Sequence, residues 1–234
     1  MNRSLLKWIA LIAMTLDHIA FFLINPNTVY YLILRIIGRL AFPIFAFMIA
    51  EGFRHTKNVF GYAKRLIILG AIFEVMILLI YQFYDYNLSI IPFFPNNLIR
   101  MNIMFSLALG LIGLYVVTHE NKKIRYLVIP AGLLSILLPY GYYGFGIIMI
   151  FGLIKDNQVR MSLFVTLTLI YTSLPQIFKD VPFIGGSVWQ ALAVMSLPLI
   201  FLYNGKKGWD LKWLFYVYYP LHVLVLFMIY YYAL

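Results

Sequence analysis

The sequence predicts an all-α polytopic integral membrane protein of about nine transmembrane helices, organised as one domain over residues 1–234. Three observations lead there. Of its residues 64% are hydrophobic and only 11% charged, with a mean hydropathy of +0.90, whereas a soluble domain carries about 25% charged residues. The apolar residues fall into blocks of roughly 18 to 25 separated by short charged clusters, the pattern of membrane-spanning helices. The basic residues are distributed unevenly between alternate loops, so the net charge of +10 reads as a topology signal, with no nucleic acid partner implied. An aromatic content of 18% suits interfacial belts of Tyr and Trp. The absence of cysteine excludes disulfides, thiolate nucleophiles and Cys-ligated metals.

In chain order the candidate spans are residues 5–24, 29–53, 66–85, 99–117, 126–138, 142–154, 161–178, 188–203 and 212–232. The first follows Arg3 and Lys7 and carries Asp17-His18 in its interior. It is too long for a signal-peptide core and lacks a small-residue cleavage site, so a retained helix is expected. The fifth and sixth have about 13 residues each, short of the roughly 20 that a full span needs. They flank Pro139-Tyr140-Gly141, a turn signal, and a partial hairpin there leaves seven full spans as the alternative count. No linker, low-complexity stretch or repeat interrupts the chain.

In this arrangement Arg3, Lys7, Arg54, Lys57, Lys64, Arg65, Lys122, Lys123, Arg125, Lys155, Arg160, Lys206, Lys207 and Lys212 share one side, 14 of the 18 Lys and Arg. The opposite loops, 86–98 and 179–187, hold Lys179 alone. The positive-inside rule then places the N-terminus in the cytoplasm of a multi-pass cell-membrane protein and the C-terminus outside.

Three of the remaining four basic residues, Arg35, Arg39 and Arg100, lie within or beside spans, with Asp17, His18, Glu51, Glu74, Asn102 and His222. A charge at a helix centre costs about 2.5 to 3.5 kcal/mol on insertion scales, so such groups persist when paired, hydrated or functional. At about 1.5 Å per residue, His18, Arg39 and His222 all fall between the midplane and the outer leaflet. One polar cavity can gather them. Neighbours on a helix point about 100° apart, so Asp17 does not orient His18; it is expected to pair with Arg39 or Arg35, which share a face at i,i+4. Such pairs also serve as glue between helices. His18, with no charge to neutralise, is the candidate base. No His-x-x-x-His or Glu-x-x-His spacing supports a metal site, and no Gly-x-Ser-x-Gly elbow supports a serine nucleophile.

The run Leu6-Lys7-Trp8-Ile9-Ala10-Leu11-Ile12-Ala13-Met14-Thr15-Leu16-Asp17-His18 resembles the first helix of the TraX family. Gly38-Arg39-Leu40-Ala41-Phe42-Pro43-Ile44-Phe45-Ala46-Phe47, followed by Glu51-Gly52-Phe53, resembles that family's second helix. Tyr218-Tyr219-Pro220-Leu221-His222 resembles its C-terminal motif. TraX proteins are named for N-terminal acetylation of a conjugative pilin subunit, and are similar to the larger transmembrane acyltransferase family 3, which modifies cell-surface glycans. That family's first helix has a basic residue, ten intervening residues, then a histidine taken as catalytic. Lys7 and His18 keep the spacing, with Lys in place of the usual Arg, a point charge in place of a bidentate fork.

The resemblance implies an acetyltransferase drawing on cytosolic acetyl-CoA. His18 is then the general base, and Asp17, Arg39 and His222 complete the catalytic set, with Arg39, Asn102 or His222 donating to the oxyanion. Lys7, Arg54, His55, Lys57, Lys64 and Arg65 are expected to hold the donor's phosphates. The acceptor is an extracytoplasmic peptide amine or glycan hydroxyl, reached through the outer loops. Direct transfer and a transient acetyl-histidine both fit the residues. The rival reading is a small transporter or channel subunit whose intramembrane Arg, Asp and His line a path, although no pair of similar halves appears. A third is a non-catalytic scaffold whose buried charges set helix register.

Overall fold

In the computed structural model, residues 1–84, 102–177, 186–209 and 212–233 are described. Every regular element among them is helical: α1 Arg3–Leu23, α2 Val29–Gly38, α3 Ala41–His55, α4 Val59–Tyr84, α5 Ile103–Val117, α6 Lys122–Arg125, α7 Val128–Ser135, α8 Gly141–Leu153, α9 Asn157–Ile177, a 3₁₀ helix Val188–Ser196, α10 Leu197–Phe201 and α11 Lys212–Ala233. Arg100, Lys179, the loop 86–98 and most of 179–187 lie outside the described residues.

The expectation of about nine spanning helices is overturned, and with it the alternative of seven. Among the described residues, three helices are long and apolar enough to cross a membrane: Arg3–Leu23, Val29–His55 and Leu214–Tyr232. Hydropathy registers apolar blocks without registering where helices break. The fifth and sixth blocks hold α7 and α8, of 8 and 13 residues, broken where Tyr140 and Gly141 adopt positive φ of 63° and 49°. The eighth is a 3₁₀ segment of nine residues running into five of α-helix, and the fourth is a helix of only 15. The 26-residue α4 carries Lys64, Arg65 and Glu74 along its length, and α9 opens on Asn157, Gln158 and Arg160.

The chain forms two compact units, Met1–Met48 with Ile154–Leu234, and Ile49–Leu153. The first unit is built on α1. Asn2 caps its start, accepting from the Leu5 amide at 2.9 Å, and Thr28 caps α2 in the same manner, from the Tyr31 amide at 3.2 Å. These caps satisfy donors that the helical ladder leaves unpaired. Helix α2 passes into α3 through a tightened helical turn: the Arg39 amide reaches the carbonyls of Arg35 and Ile36, and the Leu40 amide reaches Ile37. Pro43 follows within the first turn of α3, where its missing N–H costs no helical bond. Helices α1 and α11 run parallel, since Lys7 lies over the ring of Phe215, Thr15 bonds the Tyr218 hydroxyl and His18 meets His222.

In the second unit α4 packs on α5, and α5 on α8. Glycines bring α5 and α8 together: Ile148 packs over Gly110, Phe145 over Gly113, and Leu114 over Gly152. Small residues allow helix axes to approach closely, which is the main source of packing energy where hydrophobic segregation is weak.

Candidate functional site

Asp17 sits in the last third of α1 and faces α2. Its Oδ2 accepts from Arg35 Nη1 at 2.7 Å and its Oδ1 from Arg39 Nη2 at 2.7 Å. The two arginines lie one turn apart on α2, so each guanidinium takes one carboxylate oxygen. Both of the partners considered for Asp17 are therefore engaged at once, leaving the triad with a formal charge of +1. Gly38 makes the approach possible, because a Cβ there would collide with Oδ1 and Cβ of Asp17. Arg39 also donates from Nη1 to Gln190 Oε1 at 3.3 Å and from Nε to the Arg35 carbonyl at 3.3 Å.

The next residue of α1, turned about 100° away, faces α11. His18 Nδ1 lies 3.1 Å from His222 Nε2, with ring centroids 4.9 Å apart. His222 Nδ1 lies 2.9 Å from the Tyr218 carbonyl, and the Tyr218 ring stacks on the imidazole at 5.2 Å. A carbonyl can only accept, so His222 carries its proton on Nδ1 and presents a bare Nε2 when neutral. His18 must then donate from Nδ1. Its own Nε2 is left with an unprotonated lone pair, the form that a base requires. The Tyr218 hydroxyl, bonded to Thr15, anchors α11 one turn away. His222 is buried at 6% exposure.

Lys7 stands eleven residues before His18, three turns of helix, and so on the same face of α1. Its Nζ lies 4.9 Å from the Phe215 ring centre. The remaining basic candidates belong to the second unit. Arg54 donates to Glu51 at 3.0 Å and to the Phe151 carbonyl at 2.6 Å, and His55 donates to Glu51 at 3.0 Å. Lys57, Lys64 and Arg65 are exposed. Asn102, a candidate oxyanion donor, lies in the second unit and its side chain is engaged there. It caps α5, and both amide hydrogens are engaged, with the Gly70 carbonyl at 2.8 Å and Glu74 Oε1 at 2.9 Å. Glu74 is thereby a partner of Asn102. Among the described residues no group of three or more His, Asp or Glu is placed to hold a metal ion.

Sequence reasoning missed two residues. Tyr218 lies inside the quoted C-terminal motif, four residues before His222, and that helical spacing was the available signal. Gln190 is an amide inside the apolar run Val188-Trp189-Gln190-Ala191-Leu192. A polar side chain in such a run is itself a pointer to function.

An all-α membrane protein with a half-buried ion triad and a histidine pair in contact is the class these features define. A family model described as TraX protein matches residues 2–230. The chain belongs to the TraX family. It is 30% identical over 234 aligned residues to the probable fimbrial assembly protein FimC, serogroup H1, of Dichelobacter nodosus, covering 94% of this chain and 92% of that one. It is 24% identical to the uncharacterized protein RP591 of Rickettsia prowazekii (strain Madrid E), covering 88% of this chain and 96% of that one. No solved structure gives a significant match.

Proposed function

We propose that this TraX-family protein is a membrane acetyltransferase, with acetyl-CoA as donor and His18 as general base. The observation that supports the reading is the chain of contacts from the Tyr218 carbonyl through His222 to His18; with both imidazoles neutral, it favours a proton on His18 Nδ1 and a free lone pair on Nε2. Third-group orientation of a base is the arrangement that proton-abstracting catalysts require. His18 Nε2 takes the proton of an acceptor amine or hydroxyl as the acceptor attacks the thioester carbonyl. The carbonyl electrons move to oxygen, and the net positive charge of Asp17, Arg35 and Arg39 favours that developing anion. Collapse breaks the C–S bond, and the departing thiolate recovers the proton from His18.

The basic residues proposed to serve the donor's phosphates are Lys7 in the first unit and Arg54, His55, Lys57, Lys64 and Arg65 in the second, of which Lys57, Lys64 and Arg65 are exposed. The acceptor is an extracytoplasmic peptide or glycan. The printed name of the Dichelobacter relative, a fimbrial assembly protein, favours a pilin-like N-terminus. The N-terminus lies in the cytoplasm and the C-terminus outside. All three candidate spans have basic residues at the corresponding end: Arg3 and Lys7 before the first, Arg54, His55 and Lys57 closing the second, and Lys206, Lys207 and Lys212 before the last. That asymmetry orients spans with the basic flanks inside.

The test is acetyl transfer, or slow hydrolysis, of labelled acetyl-CoA by detergent-purified protein. Replacing the base, His18→Ala, should lower turnover by ~10²–10⁴ while the protein remains folded, and His222→Ala should impair it. Near-normal turnover by His18→Ala rejects the assignment.

A further inference from the structure

Thr15 makes two hydrogen bonds with a single hydroxyl hydrogen. Its Oγ1 lies 2.8 Å from the Leu11 carbonyl, one turn back along α1, and also meets the Tyr218 hydroxyl on α11. A carbonyl can only accept, so the Thr15 hydrogen goes to Leu11 and the Tyr218 phenol donates to Thr15. A threonine bonded back to its own helix is already satisfied as a donor. The contact with Tyr218 is therefore a tie between helices, made by an oxygen that α1 does not need.

Thr15 and His18 stand three residues apart on α1, and Tyr218 and His222 four apart on α11, so each pair shares a helix face. Thr15 meets Tyr218, and His18 meets His222. Two polar rungs thus join parallel helices, with steps of about 4.5 Å along α1 and about 6 Å along α11. Apolar packing has no direction and tolerates a small rotation or slide of one helix past another. A hydrogen bond one turn from the histidine contact resists both. Pro220 lies between the rungs and supplies no amide hydrogen to α11, which leaves the helix ladder weaker there. The groups that hold the His222 imidazole within α11, the Tyr218 carbonyl at 2.9 Å and the Tyr218 ring at 5.2 Å, belong to the residue that Thr15 ties down.

We propose that Thr15 and Tyr218 are positioning residues that set the contact of His222 with His18, and through it the tautomer of His18. Their catalytic meaning rests on the acetyltransferase reading above; their geometry does not. The bond from His222 Nδ1 to the Tyr218 carbonyl lies within one helix and survives loss of the Thr15 rung. The contact from His18 Nδ1 to His222 Nε2 crosses between helices at 3.1 Å. Hydrogen bonds weaken steeply as they lengthen and bend, so a small rotation of α11 releases it. His18 then exchanges between tautomers, and in one of them Nε2 carries the proton and cannot act as base.

Three substitutions isolate the rung. Thr15→Val removes the hydroxyl at nearly constant shape, Tyr218→Phe removes the donor and keeps ring and carbonyl, and Thr15→Ser keeps the acceptor. Nitrogen NMR of protein isotopically labelled at histidine, in detergent at a pH where both imidazoles are neutral, reads the tautomers with no acyl donor present. The two signals are identified by their loss from His18→Ala and His222→Ala. Wild type and Thr15→Ser should hold both imidazoles as Nδ1–H. In Thr15→Val and Tyr218→Phe, His222 should stay Nδ1–H while His18 becomes a mixture. With acetyl-CoA these two variants should lose about tenfold in kcat with KM changed by less than about twofold, and Thr15→Ser should match wild type. The Thr15→Val/Tyr218→Phe double variant should be no slower than the slower single. An unchanged His18 signal in folded Tyr218→Phe overturns the proposal even if Thr15→Val does not fold. So does a tautomer change at His222 in step with His18, which marks general disruption of α11, or a fall in kcat that Thr15→Ser shares. The expected tautomer pattern in a protein that transfers no acetyl group supports the rung and refutes the acetyltransferase reading alone.

Discussion

Removing Asp17 should cost more stability than removing either arginine it binds, and the costs should not add. Asp17→Asn leaves two guanidiniums facing each other without their anion, in side chains only 30% and 14% exposed. Breaking a buried pair from one side costs about 3–5 kcal/mol, and the partial exposure of Arg35 moves the expectation to the low end, about 3 kcal/mol. Arg39→Gln leaves Asp17 paired with Arg35, a neutral couple. It also loses charge-assisted bonds to Asp17 and Gln190, for about 2 kcal/mol. Arg35→Gln also leaves a neutral couple and should be mildest, about 1 kcal/mol. The Asp17→Asn/Arg39→Gln double variant should fall short of the sum of its singles by about 1–3 kcal/mol. Denaturant unfolding of purified protein in detergent, followed by circular dichroism, reads all four. Strict additivity, or Arg35→Gln proving as costly as Asp17→Asn, would refute the reasoning.

Three further outcomes follow from the same geometry. Gly38→Ala drives a methyl into the Cβ and carboxylate of Asp17, so α1 and α2 must separate; unfolding experiments should show a loss of about 1–3 kcal/mol. Neutralising Lys57, Lys64 and Arg65 together should raise the acetyl-CoA KM with little change in acceptor KM. Added salt should raise the wild-type acetyl-CoA KM toward that of the variant, since exposed charges are screened within about 10 Å at 0.1 M. In sealed vesicles of known orientation, acetyl-CoA should serve only from the cytoplasmic face, with acetylated product on the other. Product on the donor's own face would sink the sidedness proposed here.

Several features were legible before any coordinates because the physics behind them is local. Apolar excess and sparse charge mark a membrane protein, and charges placed within apolar runs demand counter-charges. The i,i+4 spacing of Arg35 and Arg39 made them fit partners for Asp17. The terminal motifs pointed to the family. The helix count was not legible, because apolarity persists across a break: the positive φ of Tyr140 and Gly141 and the 3₁₀ path of Val188–Ser196 interrupt blocks whose hydropathy runs on. Nor did composition reveal that Asn102 is consumed by Glu74 and the cap of α5.

Composition and charge spacing therefore set the medium, the charge asymmetry and the identity of the polar residues the membrane interior must accommodate. Which of those residues meet follows from helix packing. His18 and His222 stand 204 residues apart in the chain and 3.1 Å apart in space, and which imidazole nitrogen holds a proton depends on the Tyr218 carbonyl at the end of that contact. Hydrogen bonding is short-ranged and directional, so a sequence can name the groups that need partners. The partners themselves are set by the packing of α1 between α2 and α11.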